Sequence, residues 1–360
     1  MHLSGLIQGT NNNFNLIRFI AASAVLVGHS FALLGQPEPL GQSLGMSIGS
    51  IAVDLFFITS GFLVASSLLT RQSTADYILA RVLRIYPALI VMLMLTVFGL
   101  GTFFTSVPLG HYFSSPETYS YLLKCATLVG GVAFYLPGVF DDNPYKAAVN
   151  GSLWSMVWEI KMYILLLLFW VACGSKIGNK VKRFGYLIIS NALLACTLVL
   201  ARSFFDLEES RFVRFDFMFF TGAAFSVLKK RISLSFGIFV TCCIALTVSA
   251  FINKQAFFCI YHLSIAYVLF YLAYVPAGFL RKFNAFGDNS YGIYIYAFPI
   301  QQSVIALLPG VSVSLLTIIS FPVTLCFARA SWYLVEQPAL NLKKFLSARG
   351  QRSSVPGTPV

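Results

Sequence analysis

Apolar residues along this chain gather into long runs, with polar residues in the short gaps between them. Ten runs are long enough to cross a bilayer as helices, at about 14–34, 47–69, 85–107, 153–173, 186–202, 213–228, 232–252, 257–275, 290–309 and 312–334. About 20 apolar residues rising ~1.5 Å each cover a hydrocarbon core. The pattern predicts an all-α polytopic membrane protein, with about ten transmembrane helices in one bundle. A further apolar stretch, 121–138, is interrupted by Lys124, Gly130, Gly131 and Pro137. It is predicted to be re-entrant or interfacial, because irregular backbone at membrane depth needs protein around it. No charged leader with a small-residue cleavage site precedes the first run, so that run is expected to stay as a signal anchor. The transmembrane domain is expected over 1–347, with 348–360 (ARGQRSSVPGTPV) a polar, disordered cytoplasmic tail.

Composition agrees with the pattern. Of the 360 residues, 58% are hydrophobic and 11% charged, against about a quarter charged in a soluble domain. A net charge of +12 would suggest nucleic acid in a soluble chain. In one this apolar it points to the bilayer as the partner and to no nucleic acid, because Lys and Arg collect in cytoplasmic loops. With the N-terminus in the cytoplasm, sixteen Lys and Arg fall on the inner side, among them Arg71, Arg81, Arg84, Lys176, Lys343, Lys344, Arg349 and Arg352. Six fall outside: Lys124, Lys146, Arg202, Arg211, Arg214 and Lys254. Both termini are therefore expected in the cytoplasm, and the longest loop, about 108–152, on the outer face. The seven cysteines form no C-x-x-C pair and no Cys/His ligand spacing, so no metal site is expected.

The candidate chemistry lies in the polar groups of the spans: Arg18, His29, Asp54, Glu159, Lys161, Asp216, Arg329 and Glu336. An ionisable side chain inside a membrane is costly and normally faces a protein-lined interior. Arg18 and His29, in RFIAASAVLVGHS, are eleven positions apart. That returns to within about 20° of one helix face over a rise of roughly 16 Å. Asp54 lies in the second span, followed by Ser60-Gly61-Phe62, where Gly61 permits close approach of a helix or a ligand. Arg81 and Arg84 are one turn apart at the inner mouth of the third span. They read either as inner-face anchors or as a phosphate clamp, since arginine gives forked contacts to phosphate. Glu159 enters the fourth span from GSLWSMVWE. His111 and His262 lack ionisable company nearby and read as structural.

Six motifs in order resemble the membrane-bound acyltransferase 3 family, integral-membrane O-acetyltransferases of bacterial glycans. They are RFIAASAVLVGHS, VDLFFITSGFLV, RVLRIYPA, GSLWSMVWE, FGDNSYGIYIYAFP and WYLVEQP, spanning residues 18 to 338. The resemblance implies a ten-helix core in the bacterial inner membrane and acetyl-CoA as acyl donor. It implies His29 as the catalytic histidine, and Arg18, Arg81 and Arg84 as arginines serving donor binding. Where many members carry a late histidine this chain has Ala297, and the esterase-like C-terminal domain of some members is not in this sequence. Compact members acetylate exopolysaccharide, O-antigen or nodulation factors. On this basis the acceptor is a sugar hydroxyl of a surface or secreted glycan, glycolipid or lipo-oligosaccharide. His29 acts as general base or forms an acetyl-histidine. Asp54 or Glu159 is expected to orient its imidazole. A transporter or flippase of a lipid-linked sugar is the alternative, against which stands the lack of an internal repeat.

Overall fold

The computed structural model describes residues 2–7, 9, 11–174, 177–205, 208 and 210–342. The expected tail 348–360 and Lys176, Lys343, Lys344, Arg349 and Arg352 lie outside them. Among the described residues there are no strands, and ten helices reach 17 residues or more. They are α1 (Phe14–Leu33), α2 (Ile48–Arg71), α3 (Thr74–Met94), α4 (Trp154–Ala172), α5 (Ile177–Phe205), α6 (Arg211–Val227), α7 (Phe236–Ile252), α8 (Lys254–Tyr274), α9 (Ser290–Leu307) and α10 (Val313–Ser331). α3 and α10 continue through π-helical turns at Leu95–Leu100 and Trp332–Glu336.

Each helix answers to a predicted run, but seven, not ten, are long and apolar enough to cross a membrane. α6, α7 and α9 fall short. α9 is too polar because protein, not lipid, surrounds it: Ser290 through Pro299 are all buried. α3 also starts earlier than its apolar run, at Thr74, where the Ser73 hydroxyl accepts the Asp76 N–H at 3.2 Å. Hydropathy locates the lipid-covered length of a helix, whereas the cap fixes its start. Arg81 and Arg84 consequently stand within α3 and not at its mouth.

α2 and α6 are the most extensively packed pair. A Cβ on Gly61 would stand 1.9 Å from the Phe219 carbonyl oxygen, and one on Gly222 2.0 Å from that of Ile58. Gly61 therefore serves helix crossing, the commonest use of small residues between membrane helices. α9 lies against both α1 and α10 and carries the polar groups that hold the loop preceding α4.

The interrupted stretch, predicted as re-entrant or interfacial, folds as a hairpin against α3. A short helix, Pro116–Thr127, runs back along α3, where the Tyr86 hydroxyl donates to the Thr127 carbonyl at 3.4 Å. The chain turns at Gly130 and Gly131, both at positive φ, and returns to pair Thr105 with Val139. Thr105 lies 19 positions beyond Tyr86, roughly 28 Å of helical rise, so the hairpin runs back along α3 over that length and returns to the Thr105 end. The loop that follows, 140–150, finds partners for its irregular backbone inside the protein. Gln302, fully buried on α9, donates to the carbonyls of Tyr145 (2.9 Å) and Ala148 (2.7 Å), and Asn150 donates to that of Ile295 at 2.9 Å.

The α2–α6 crossing gives a direct test. Gly222→Ala must displace backbone, not a flexible side chain, and is expected to cost about 3 kcal/mol or more. Gly99→Ala, with nothing within 4 Å, should be neutral. Thermal unfolding of the two variants in detergent separates these outcomes.

Candidate active site

Four helices meet at a buried charged network. Arg84 of α3 places Nη2 2.5 Å from Asp288 Oδ2 and Nη1 3.1 Å from Glu336 Oε2. Arg18 of α1 donates through Nε to Ser290 Oγ at 3.2 Å and stands 3.7 Å from Asp288 Oδ2. Ser331 of α10 donates to Glu336 Oε1 at 3.0 Å, and the Tyr291 ring faces Arg84 at 5.6 Å. Two guanidinium groups and two carboxylates balance, which an apolar surrounding requires. Asp288 stands in the connection ahead of α9. Burial works against its charge, but Arg84 and Arg18 hold its carboxyl down to about 2.

Arg81 does not join this cluster. It turns to the Tyr163 ring at 5.7 Å, and its Nε is buried without a hydrogen-bond partner. The two arginines of RVLRIYPA therefore do not form one clamp. Arg84 is already held by carboxylates, whereas Arg81 keeps an unused donor.

Farther along α1, His29 faces a chamber of about 100 Å³ lined by Glu38, Ser47, Val53, Trp154, Arg214 and Tyr294, among others. Its Nδ1 is buried with no hydrogen-bond partner, and the Phe298 ring stands edge-on at 5.2 Å. Val53 and Tyr294 also line a narrower cavity of about 40 Å³, whose walls include Arg18, Phe56, Phe57, Glu159 and Tyr291. The structure thus brings Arg18 and His29 to the two ends of adjoining spaces.

The two expected orienting carboxylates are engaged elsewhere. Asp54, fully buried, receives Arg214 on both oxygens at 3.0 Å and the Tyr261 hydroxyl at 3.1 Å. Glu159 accepts from Ser60 Oγ at 2.9 Å and from the Tyr163 hydroxyl. Neither bonds Nδ1 of His29, since each is satisfied by its own neighbours. The carboxylate that enters the His29 chamber belongs to Glu38, in the loop after α1. Its Oε2 is buried without a partner, 3.0 Å from where a Cβ would stand on Gly28 or Gly49. Glu38 and Asp288 are the two residues that sequence reasoning missed. Glu38 carries one faint signal, its position between Pro37 and Pro39, which stiffen the loop nine residues after His29.

The remaining polar residues lie apart from the site. Lys161 is exposed over the Trp158 ring at 4.0 Å, Asp216 accepts from Asn191 at 2.9 Å, and Arg329 stacks on Phe286 and Tyr333. His111 is exposed, and His262 is buried with Nδ1 2.7 Å from the Phe258 carbonyl.

The chain is 28% identical to an O-acetyl transferase of Shigella phage Sf6, covering 96% of this chain and 99% of the relative. It is also 28% identical to Nodulation protein 10 of Rhizobium leguminosarum bv. viciae, covering 95% and 96%. No solved structure gives a significant match. The acyltransferase domain model of the acyltransferase 3 family matches residues 11–335, which include the charged network up to Val335 and the whole His29 chamber. This protein is a member of the acyltransferase 3 family, a multi-helix membrane acyltransferase.

Proposed function

We propose that this protein moves an acetyl or other short acyl group from cytoplasmic acetyl-CoA to a sugar hydroxyl of a surface or secreted glycan, glycolipid or lipo-oligosaccharide. Exopolysaccharides and nodulation factors belong to this class, and the two relatives are named for O-acetyl transfer and for nodulation. The protein sits in the bacterial inner membrane with both termini cytoplasmic, a topology supported by the sixteen-to-six distribution of Lys and Arg. The observation that carries the proposal is the pair of adjoining cavities running from Arg18 to His29.

The lower cavity is narrow, so it suits a linear arm and leaves a nucleotide at the inner mouth. Arg81, within α3, keeps an unpaired Nε for a donor phosphate, while Arg18 and Arg84 are already balanced by Asp288 and Glu336. The donor supplies an activated acyl carbon. His29 takes the proton from the sugar hydroxyl as the C–O bond forms, and delivers it to the leaving sulfur as the C–S bond breaks. Glu38, the carboxylate in that chamber, stabilises the imidazolium. Asp54 acts through Arg214, which it holds at the chamber wall, and Glu159 sets the polarity of the lower cavity through Ser60 and Tyr163.

Reporter fusions at the C-terminal tail and within 139–150 are expected on opposite sides of the membrane. A periplasmic tail overturns the topology and with it the donor route.

His29→Ala and His29→Gln should both lose acetyl transfer per folded molecule by about 10²–10⁴-fold, since Gln cannot take up the hydroxyl proton. Glu38→Gln should lower turnover by less and leave the acetyl-CoA KM unchanged. Substantial turnover by His29→Gln removes His29 from the role of base.

The two arginines of α3 should separate. Arg81→Ala is expected to raise the KM for acetyl-CoA about tenfold with the fold intact, the worth of one charged hydrogen bond. Lys restores little, lacking the fork. Arg84→Ala strands two buried carboxylates and should lose folded protein, at a cost of about 3–5 kcal/mol. Equal effects of both on KM alone would return them to a single clamp.

A further inference from the structure

The lower cavity and the His29 chamber share two wall residues, Val53 and Tyr294. A donor arm lying in the lower cavity must carry its acyl carbon past that pair to come within reach of the imidazole. The acyl chain then meets the apolar part of the chamber lining, which Val25, Val53, Trp154, Phe215 and Tyr294 supply. The polar part, with Ser47, Ser50 and Arg214, suits the attacking sugar instead.

Size decides which acyl chains fit. A dry cavity of roughly 150 Å³ takes one benzene molecule, with its six heavy atoms. By that measure the chamber, at about 100 Å³, takes about four. An acetyl group supplies three heavy atoms, and the attacking oxygen is the fourth. A propionyl or butyryl chain brings one or two carbons more.

The walls have little freedom to yield. Phe215 stacks on Phe57 with ring centroids 4.2 Å apart and packs against the Trp154 ring at 5.7 Å. Phe57 stands one turn after Val53 on α2, and Phe215 belongs to α6. These two helices interlock at Gly61 and Gly222, where no side chain fits between the backbones. Tyr294 is held by its hydroxyl, which donates to the Ser152 carbonyl at 2.9 Å. Val25, one turn before His29 on α1, and Val53 are both buried. Their branched side chains have one favoured rotamer in a helix.

We propose that Val53, together with Val25, sets the length of the acyl chain and restricts the donor to acetyl-CoA among short acyl-CoA thioesters. The proposal rests on the acyltransferase reading of His29 and narrows its donor. Both valines act by the volume they occupy. Val53→Ala removes two carbons from the wall, as many as butyryl carries beyond acetyl.

The test is a mixed-donor competition. The full chain, purified in detergent, receives equimolar acetyl-, propionyl- and butyryl-CoA. The acceptor is an envelope glycan extract from cells lacking the protein. Loss of each thioester, followed by mass spectrometry, gives ratios of kcat/KM that do not depend on how much protein is folded. The wild type should prefer acetyl over propionyl by about tenfold or more, since a surplus methylene in an apolar pocket costs about 10–200-fold. Val53→Ala should raise propionyl about tenfold relative to acetyl, and butyryl in the same direction. Val25→Ala should act likewise and serves if Val53→Ala does not fold. Val53→Thr keeps the branched shape and should leave the ratios unchanged. Equal use of the three donors by the wild type, or preference for a longer chain, overturns the proposal. So do ratios that both alanine variants leave unmoved, or that Val53→Thr moves as far as Val53→Ala. Consumption of none of the donors by the wild type overturns the acyltransferase reading itself, and the proposal with it.

Discussion

An arginine held between two carboxylates in a low-dielectric interior is stable only while all three groups stay together. Arg84, Asp288 and Glu336 impose that condition on α3, α9 and α10, and Arg18 extends it to α1 through Asp288 and Ser290. Removing one partner leaves a charge that neither lipid nor apolar side chains can solvate. The network therefore fixes the relative depth of four helices. With that depth set, His29 stands at the far end of α1, opposite Tyr294 of α9, and the space between them is defined.

The same constraint shapes α9. A helix facing lipid must be apolar, but one enclosed by protein can spend its side chains on polar work. Gln301 donates to the Leu26 carbonyl and to Ser30 Oγ, while Gln302 holds the loop at Tyr145 and Ala148. The hairpin beside it is also satisfied by protein: the Thr105 hydroxyl donates to the Pro137 carbonyl and the Cys125 thiol to that of Ala133. Polarity that weakens α9 as a membrane span is what lets an irregular segment exist beside it.

Much of this was legible beforehand. Lipid contact imprints long apolar runs, so the helices and the interrupted stretch 121–138 stood out. Arg18 and His29 were linked by helical spacing, and that spacing survives because α1 is regular between them. Arg81 and Arg84 resisted the same reasoning. Three positions leave two side chains about 60° apart, enough for neighbouring helices to claim them separately. Asp54 and Glu159 were visible as acids inside spans, but their partners Arg214, Tyr261 and Ser60 come from other helices. Only Tyr163 stands on the same helix as its acid, one turn after Glu159. Glu38 and Asp288 lie in connections, where no periodicity announces which way a side chain will face.

The narrow cavity between Arg18 and His29 has a consequence for the cell. An enzyme that receives one substrate from each side of an energised membrane must not conduct ions between them. Every elementary charge that leaks across 100 mV dissipates about 2.3 kcal/mol. Here the route is pinched between Phe56, Phe57, Tyr291 and Tyr294, with Arg18 at its inner end. Four aromatic rings leave no room for a hydrated ion, and Arg18, tied to Asp288 and Ser290, closes the inner end. On the proposed donor route, the collar through which an acyl donor approaches His29 thereby doubles as an electrical seal.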